Sequence, residues 1–288
     1  MKTLFSFLII GICLSPLEIY SECIKGDCVN GQGVYSFADG KRYEGEFRDG
    51  NLNGKGMATF PDGSRYEGLF REGLFQGQGL RIFSDGGKYT GEFNSGLFQG
   101  MGTYYFPDGR KYTGEFRNGE LHGRGIYSFA DGKRYEGEFR DGKCNGKGTM
   151  VFSDGYKYTG QFNNGELHGR GTLTSPEGRK YTGQFEHGLK DGKGSLTYPD
   201  GTIYVGQFKK DMRSGQGTLT FPDGSGYVGR FKEDKFHGEG SLTFPDDSRY
   251  EGEFKEGKFH GQGTCVYSDG REESGMWEED RFMGSQEF

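Results

Sequence analysis

Aromatic and glycine positions recur along the chain with a 23-residue period. The pentapeptide Tyr43-Glu44-Gly45-Glu46-Phe47 returns in variant form at Tyr66, Tyr89, Tyr112, Tyr135, Tyr158, Tyr181, Tyr204, Tyr227 and Tyr250, with no insertion or deletion between copies. In an extended chain alternate residues share a face, so the Tyr, Gly and Phe of each copy lie on one side and the two intervening residues on the other. The small glycine leaves a gap between two rings, which an aromatic of the neighbouring strand is expected to fill. Strict periodicity then predicts Tyr stacked on Tyr and Phe on Phe, a core built of aromatic columns.

Three further signals complete the unit. A Gly-x-Gly pair runs from Gly31/Gly33 to Gly261/Gly263, and an acidic-Gly turn pair runs from Asp39-Gly40 to Asp269-Gly270. An aromatic stands two residues before that turn, as in Phe37, Phe60 and Phe129, with Ser175 as the exception. Asp-Gly between short alternating runs signals a hairpin, because glycine accepts the positive φ of a tight turn. Each unit thus predicts two strands of about six residues joined by two connections of about five. A helix would need a glycine-free stretch of about ten residues, and no unit offers one.

These residues, YEGEF followed by Gly-x-Gly and a PDG-type turn, resemble the MORN (membrane occupation and recognition nexus) repeat over residues 31 to 284. The resemblance implies an all-β fold, an elongated single-layer antiparallel sheet, solenoid-like, built of stacked 23-residue β-hairpin repeats. At about 4.7–4.9 Å per strand such a sheet would be on the order of 100 Å long. The organisation expected is 1–21 signal peptide, 22–42 N-terminal cap and partial repeat, 43–272 ten repeats, and 273–288 a degenerate capping repeat. In that last unit Glu273 takes the Tyr slot and Trp277 the Phe slot. Residues 33–50 and 125–142 differ only at Val34 and Ile126, which points to duplication of a four-unit block.

Composition adjusts this picture only at the ends. The chain has 288 residues, 56 of them glycine, and is 31% hydrophobic, poor material for a thick core. Its net charge of −6 does not suit a nucleic-acid binder. Lys2, the apolar run Leu4 to Leu14 and Pro16 have the layout of a secretory signal, so an exported protein is expected, periplasmic, cell-surface or secreted. Cys23 and Cys28 then form either a disulfide across a short turn or two free thiols, with lipidation of Cys23 as a third possibility that Glu22 before it disfavours. Cys144 and Cys265 fall in slots held elsewhere by Leu, Phe, Tyr or Met and read as core hydrophobes.

Candidate chemistry is sparse. No cysteine spacing suggests zinc, no cofactor motif is present, and no nucleophile setting points to an enzyme. The resemblance extends to enzymes that carry such repeats beside a catalytic domain, but here the repeats fill the chain. His122, His168, His237 and His260 share one column and read as polar turn residues. A basic column, Arg42, Arg65, Lys88, Lys111, Arg134, Lys157 and Lys180, precedes the Tyr and is the candidate contact for anionic lipid headgroups, the role traditional for the family. The competing reading is cross-strand neutralisation by Glu44, Glu46, Glu92, Glu115, Glu136 and Glu138. Between Lys190 and Asp234 the pattern breaks. Ile203 replaces the basic residue, Val205 and Val228 replace Thr or Glu, Lys190 and Arg213 enter an apolar slot, and Asp211 and Asp234 replace the glycine of a turn.

The functional expectation is a non-catalytic scaffold or spacer that binds an unidentified protein partner, with Ile203, Val205 and Val228 as candidate contacts. The alternative is peripheral membrane binding through the basic column. Glycan binding is a weaker third class, and the resemblance allows a homodimer formed through sheet ends.

Overall fold

The computed structural model describes residues 20–285, so most of the expected signal segment lies outside the described residues. Every regular element among them is a β-strand, and they form two compact units, one reaching Leu97 and the other beginning at Phe98. Within each unit the strands form an antiparallel meander, each paired to its neighbours in sequence. The first unit opens with β1 (Glu22–Gly26), β2 (Gln32–Ser36), β3 (Arg42–Arg48) and β4 (Asn51–Thr59). Strands of seven and nine residues then alternate, longer than the six expected.

The extra length comes from two different connections. Asp49 and Gly50 both have positive φ, 49° and 74°, and close β3 onto β4 as a two-residue turn of the mirror-image type that matches strand twist. The Asp39-Gly40 signal belongs instead to a five-residue loop. There the Phe37 N–H donates to the Lys41 carbonyl at 2.8 Å, and Asp39 Oδ1 accepts the Lys41 N–H at 2.9 Å. The carboxylate mimics a backbone turn, which is why Asp recurs at that position. The Gly-x-Gly pair is in neither turn. It lies inside the nine-residue strand, where Gly54 (φ 91°) sits at a β-bulge between the paired positions Gly45↔Gly56 and Phe47↔Leu52.

The core differs from separate Tyr and Phe columns. Tyr43 meets Phe47 of its own strand at 5.1 Å and 88°, and Phe70 of the next hairpin at 4.9 Å and 84°. The result is a single alternating Tyr–Phe ladder of edge-to-face contacts, each contributing about 0.5–1.5 kcal/mol beyond burial. The second unit runs the same ladder from Phe116 and Tyr112 to Tyr250, where Trp277 at 5.4 Å ends it.

The gap beside each glycine is filled by the tyrosine two residues before it, not by a neighbouring ring. Tyr43 lies along its own strand and its hydroxyl donates to the Glu46 carbonyl at 2.9 Å. A Cβ on Gly45 would stand 2.5 Å from that hydroxyl and 2.5 Å from Gly56 Cα. Glycine is therefore required opposite glycine, and the pairs line up across the strands, as in Gly171↔Gly183↔Gly194↔Gly206↔Gly217. The ladder tyrosines from Tyr43 to Tyr250 are buried throughout.

Both ends are finished by specific contacts. Cys23 and Cys28 are joined by a disulfide with Cα atoms 6.0 Å apart, beside the exposed β1. Trp277 donates its indole N–H to the Gly263 carbonyl at 3.0 Å, and Glu273 accepts the Tyr267 hydroxyl at 2.7 Å. Cys144 and Cys265 are buried free thiols, and burial pushes the Cys144 thiol up to about 11.

Candidate functional site on the outer face

The face opposite the aromatic ladder carries both candidate surfaces. Two residues of each short strand point to it between Tyr and Phe. The first is Glu, Thr or Val, and the second is Glu or Gln in most copies.

The second position has a structural task that the sequence reading missed. Its side chain folds back over the bulge glycine and accepts the next backbone N–H. Glu115 accepts from Arg124 at 2.9 Å, Gln161 from Arg170 at 3.0 Å and Gln184 from Lys193 at 2.8 Å. A side chain of that length with a terminal oxygen satisfies the donor the bulge leaves unpaired, although Leu69 and Arg230 hold the position in two copies without one. The restriction to Glu or Gln was the available signal. Glu115 and Glu138 thus face a bulge rather than the basic column.

Arg42, Arg65, Lys88, Lys111, Arg134, Lys157 and Lys180 are all exposed on this face. Their ion pairs run along the strand, not across it. Arg134 meets Glu136 at 2.9 Å, Arg249 meets Glu251 at 3.1 Å, and Arg42 meets Glu44 at 3.8 Å. Such exposed pairs contribute about 0–1 kcal/mol. Lys88, Lys111, Lys157 and Lys180 are followed two residues later by threonine instead.

The first outer position forms a hydroxyl row. Thr103 and Thr113 lie 3.1 Å apart, as do Thr172 and Thr182, each pair sharing a hydrogen bond across strands. Farther along, the register reads Thr182↔Ser195↔Val205↔Thr218↔Val228↔Ser241. Two valines interrupt the row, and Ile203 stands two residues from Val205 on the same face. The three are 41%, 53% and 57% exposed in the order Ile203, Val205, Val228. Beside them is a groove of about 890 Å³ floored by Gly171, Gly183, Gly194 and Gly206. Thr172, Thr182, Ser195 and Val205 form one wall, and Arg170, Gln184, Lys193, Gln207 and Gln216 the other.

The remaining breaks in this region are explained on the aromatic face. Lys190 and Arg213 occupy the slot where Phe75, Phe236 and Phe259 stack on Tyr66, Tyr227 and Tyr250 at 3.7–3.8 Å. Arg213 lies 5.7 Å from the Tyr204 ring centre and Lys190 5.9 Å from that of Tyr181. The aspartates of the altered turns hold them. Asp211 Oδ1 accepts the Lys190 N–H at 3.0 Å, and Asp234 Oδ1 accepts both the N–H and Nε of Arg213 at 2.9 Å. Asp211 and Asp234 take the positive φ, 70° and 68°, that glycine takes elsewhere. Slot and turn have changed together.

The histidine column lies in the nine-residue strands at the bulge, not in turns. The single Tyr112 hydroxyl proton is shared between the Glu115 carbonyl at 2.9 Å and the His122 carbonyl at 3.1 Å. Among the described residues no three His, Cys, Asp or Glu side chains gather as metal ligands, and no helix is long and apolar enough to cross a membrane.

This architecture makes the chain a β-hairpin repeat protein. It belongs to the MORN repeat proteins, since the family model matches eleven consecutive repeats between residues 30 and 270, from 30–42 and 43–65 to 227–249 and 250–270. No curated protein matches the sequence. Among solved structures, the TCP10 domain of Danio rerio CPAP is similar at 12% identity, covering 77% of this chain and 99% of that one, with a TM-score of 0.39. The Drosophila melanogaster SAS-4 TCP domain, solved with a proline-rich motif of Ana2, is 12% identical over 61% of this chain and 83% of that one, with a TM-score of 0.32. Staphylococcus aureus virginiamycin B lyase is 11% identical over 90% of this chain and 88% of that one, with a TM-score of 0.17. Likenesses this distant carry no argument here.

Proposed function

We propose that this MORN-repeat chain is an exported, non-catalytic scaffold that binds a polypeptide partner on its outer face. The observation that carries the reading is the pair of exposed valines, Val205 and Val228, set into a row of hydrogen-bonded hydroxyls beside a glycine-floored groove. Lys190, Arg213, Asp211 and Asp234 answer one another structurally, whereas nothing in the sheet requires the valines. Exposed apolar groups on a regular scaffold favour a contact surface. Export is supported by the apolar run behind Lys2 and by the Cys23–Cys28 disulfide, a bond suited to oxidising compartments.

The test is site-specific cross-linking in native cells. A photoreactive residue at position 205 or 228 should trap the same partner, one at position 159 should trap none, and replacing Ile203, Val205 and Val228 with Thr should release the partner. Unchanged capture by that triple variant would overturn the docking surface.

The second reading, anionic-lipid binding, is favoured by the four lysines followed by threonine instead of glutamate. Vesicles rich in phosphatidylglycerol should then float the protein at low salt and lose it at high salt, since exposed charges are screened. Absence of flotation at low salt removes this reading.

A further inference from the structure

The aromatic face carries a second opening, independent of the scaffold reading. In the regular pattern the loop aromatic of one repeat meets the slot aromatic of the next hairpin. Phe60 reaches Phe75 at 6.4 Å and 82°, and Phe244 reaches Phe259 at 6.4 Å and 82°. At the corresponding places Phe106 faces Leu121, Phe129 faces Cys144 and Phe152 faces Leu167, so a ring is missing three times in succession. A cavity of about 810 Å³ lies there, lined among others by Phe106, Leu121, Tyr127, Phe129, Cys144 and Met150. A smaller one of about 260 Å³ lies where Phe37 faces Leu52. These openings lie beside Leu52, Leu121 and Cys144, whereas Lys190 and Arg213 fill the same slot with a cation fixed by aspartate.

We propose that the Leu121–Cys144 cavity is a binding site for small neutral aromatic molecules, each ring taking the place that Phe75 or Phe259 holds within the chain. The chain itself supplies the template for the ligand. The rings of Phe106 and Phe129 are the same partners that Phe60 and Phe244 offer to Phe75 and Phe259. An apolar cavity of about 150 Å³ suffices for benzene, so this one has room for two rings. Charge argues for a neutral ligand. Arg110 lies over Phe106 at 4.6 Å, binds Asp108 at 2.6 Å and donates to the Tyr127 hydroxyl at 3.0 Å. Lys133 lies over Phe129 at 5.0 Å and is paired with Asp131 at 3.1 Å. Both cations on the loop side are already neutralised, and Lys143 in the same lining is offset by Glu120 and Asp141, so the site offers an anion no net positive charge. The buried Cys144 thiol, held protonated, adds a soft apolar wall rather than a nucleophile.

The experiment titrates the intact protein with the neutral fluorophore N-phenyl-1-naphthylamine and displaces it with indole. Saturable binding, displacement by indole, and a loss of about tenfold or more in affinity in the Leu121→Phe/Cys144→Phe double variant are expected. Thermal denaturation of that variant should show it folded, because it only restores the regular slot. A second variant, Phe236→Leu, should open a comparable site and raise the number of probe molecules bound. Unchanged binding by a folded double variant, no displacement by indole, or no added binding by Phe236→Leu would each overturn the assignment.

Discussion

Arg213 and Asp234 offer the sharpest test of whether the broken repeats are structural compensation. Replacing Asp234 with Gly restores the regular turn, and replacing Arg213 with Phe restores the regular slot. Asp234 Oδ1 accepts the Arg213 Nε at 2.9 Å, while the other guanidinium nitrogen donates to the Asp234 carbonyl at 2.8 Å. Charge-assisted bonds of this kind contribute about 1.5–3 kcal/mol when well buried. The arginine side chain is 18% exposed but the aspartate 49%, so solvent lowers the expected coupling to about 1–1.5 kcal/mol. Asp234→Gly alone gives up that bond but recovers the cost of a non-glycine residue at φ 68°, so its net effect should be small. The coupling appears only in the full cycle of both singles and the double. Long repeat arrays depart from two-state unfolding, so the readout is amide exchange in the strand Met212–Thr220, where about 1.4 kcal/mol is a tenfold change in rate. A coupling below about 0.3 kcal/mol would refute the claim that slot and turn changed together for a shared physical reason.

Two other perturbations separate steric from backbone demands and probe the tyrosines. Gly148→Ala, whose Cβ would stand 2.5 Å from the Tyr135 ring and hydroxyl, should destabilise its hairpin by about 2–4 kcal/mol. Gly142→Ala, with nothing within 4 Å but φ 76°, should cost only about 1 kcal/mol; equal effects in amide exchange would contradict the packing account. Burial raises the ladder tyrosines, with Tyr43 and Tyr204 reaching about 12 against an unfolded value of about 10. Folded chains therefore keep protons that unfolded chains release above that value. Stability should be fully present below pH about 10 and fall between about 10 and 12, each tyrosine adding up to about 1.4 kcal/mol per pH unit to the slope. Near-ultraviolet absorbance that showed the ladder tyrosines ionising near pH 10 with the sheet intact would refute it.

The period and the choice of face were legible because they depend only on alternation, which Tyr43, Gly45 and Phe47 display in every copy. The way Tyr43 lies over Gly45 and Gly56 was not, since it depends on the cross-strand register and on a bulge two residues long. That same bulge makes the strands one to three residues longer than the sequence predicts and places the histidine column inside a strand rather than a turn. At the Glu46-type positions surface charge hides a specific acceptor, which the preference for Glu or Gln in most copies marks against the free choice of Glu, Thr or Val two residues earlier. Lys190 and Asp211 are 21 residues apart, so their contact becomes visible only when one turn is laid beside the slot of the preceding hairpin.

These contacts change what deviation from the repeat means. A substitution such as Arg213 is accompanied by Asp234, and the pair restores on the aromatic face the filling that Phe236 and Gly257 provide elsewhere. Glu115 and Gln161 differ in charge yet serve the same bulge N–H, so that difference is also neutral to the sheet. Val205 and Val228 belong to another class. They replace side chains that clasp across strands, as Thr172 and Thr182 do, and they gain no new partner on their face, where each remains more than half exposed. A change that gives up a hydrogen bond and leaves apolar surface in water is unfavourable within the fold alone. On the proposed reading its compensation comes from the partner bound on the outer face. In a stability measurement, Val205→Thr with Val228→Thr should leave the sheet as stable or stabilise it by a few tenths of a kcal/mol. Destabilisation by more than about 1 kcal/mol would mean that the valines serve the fold after all.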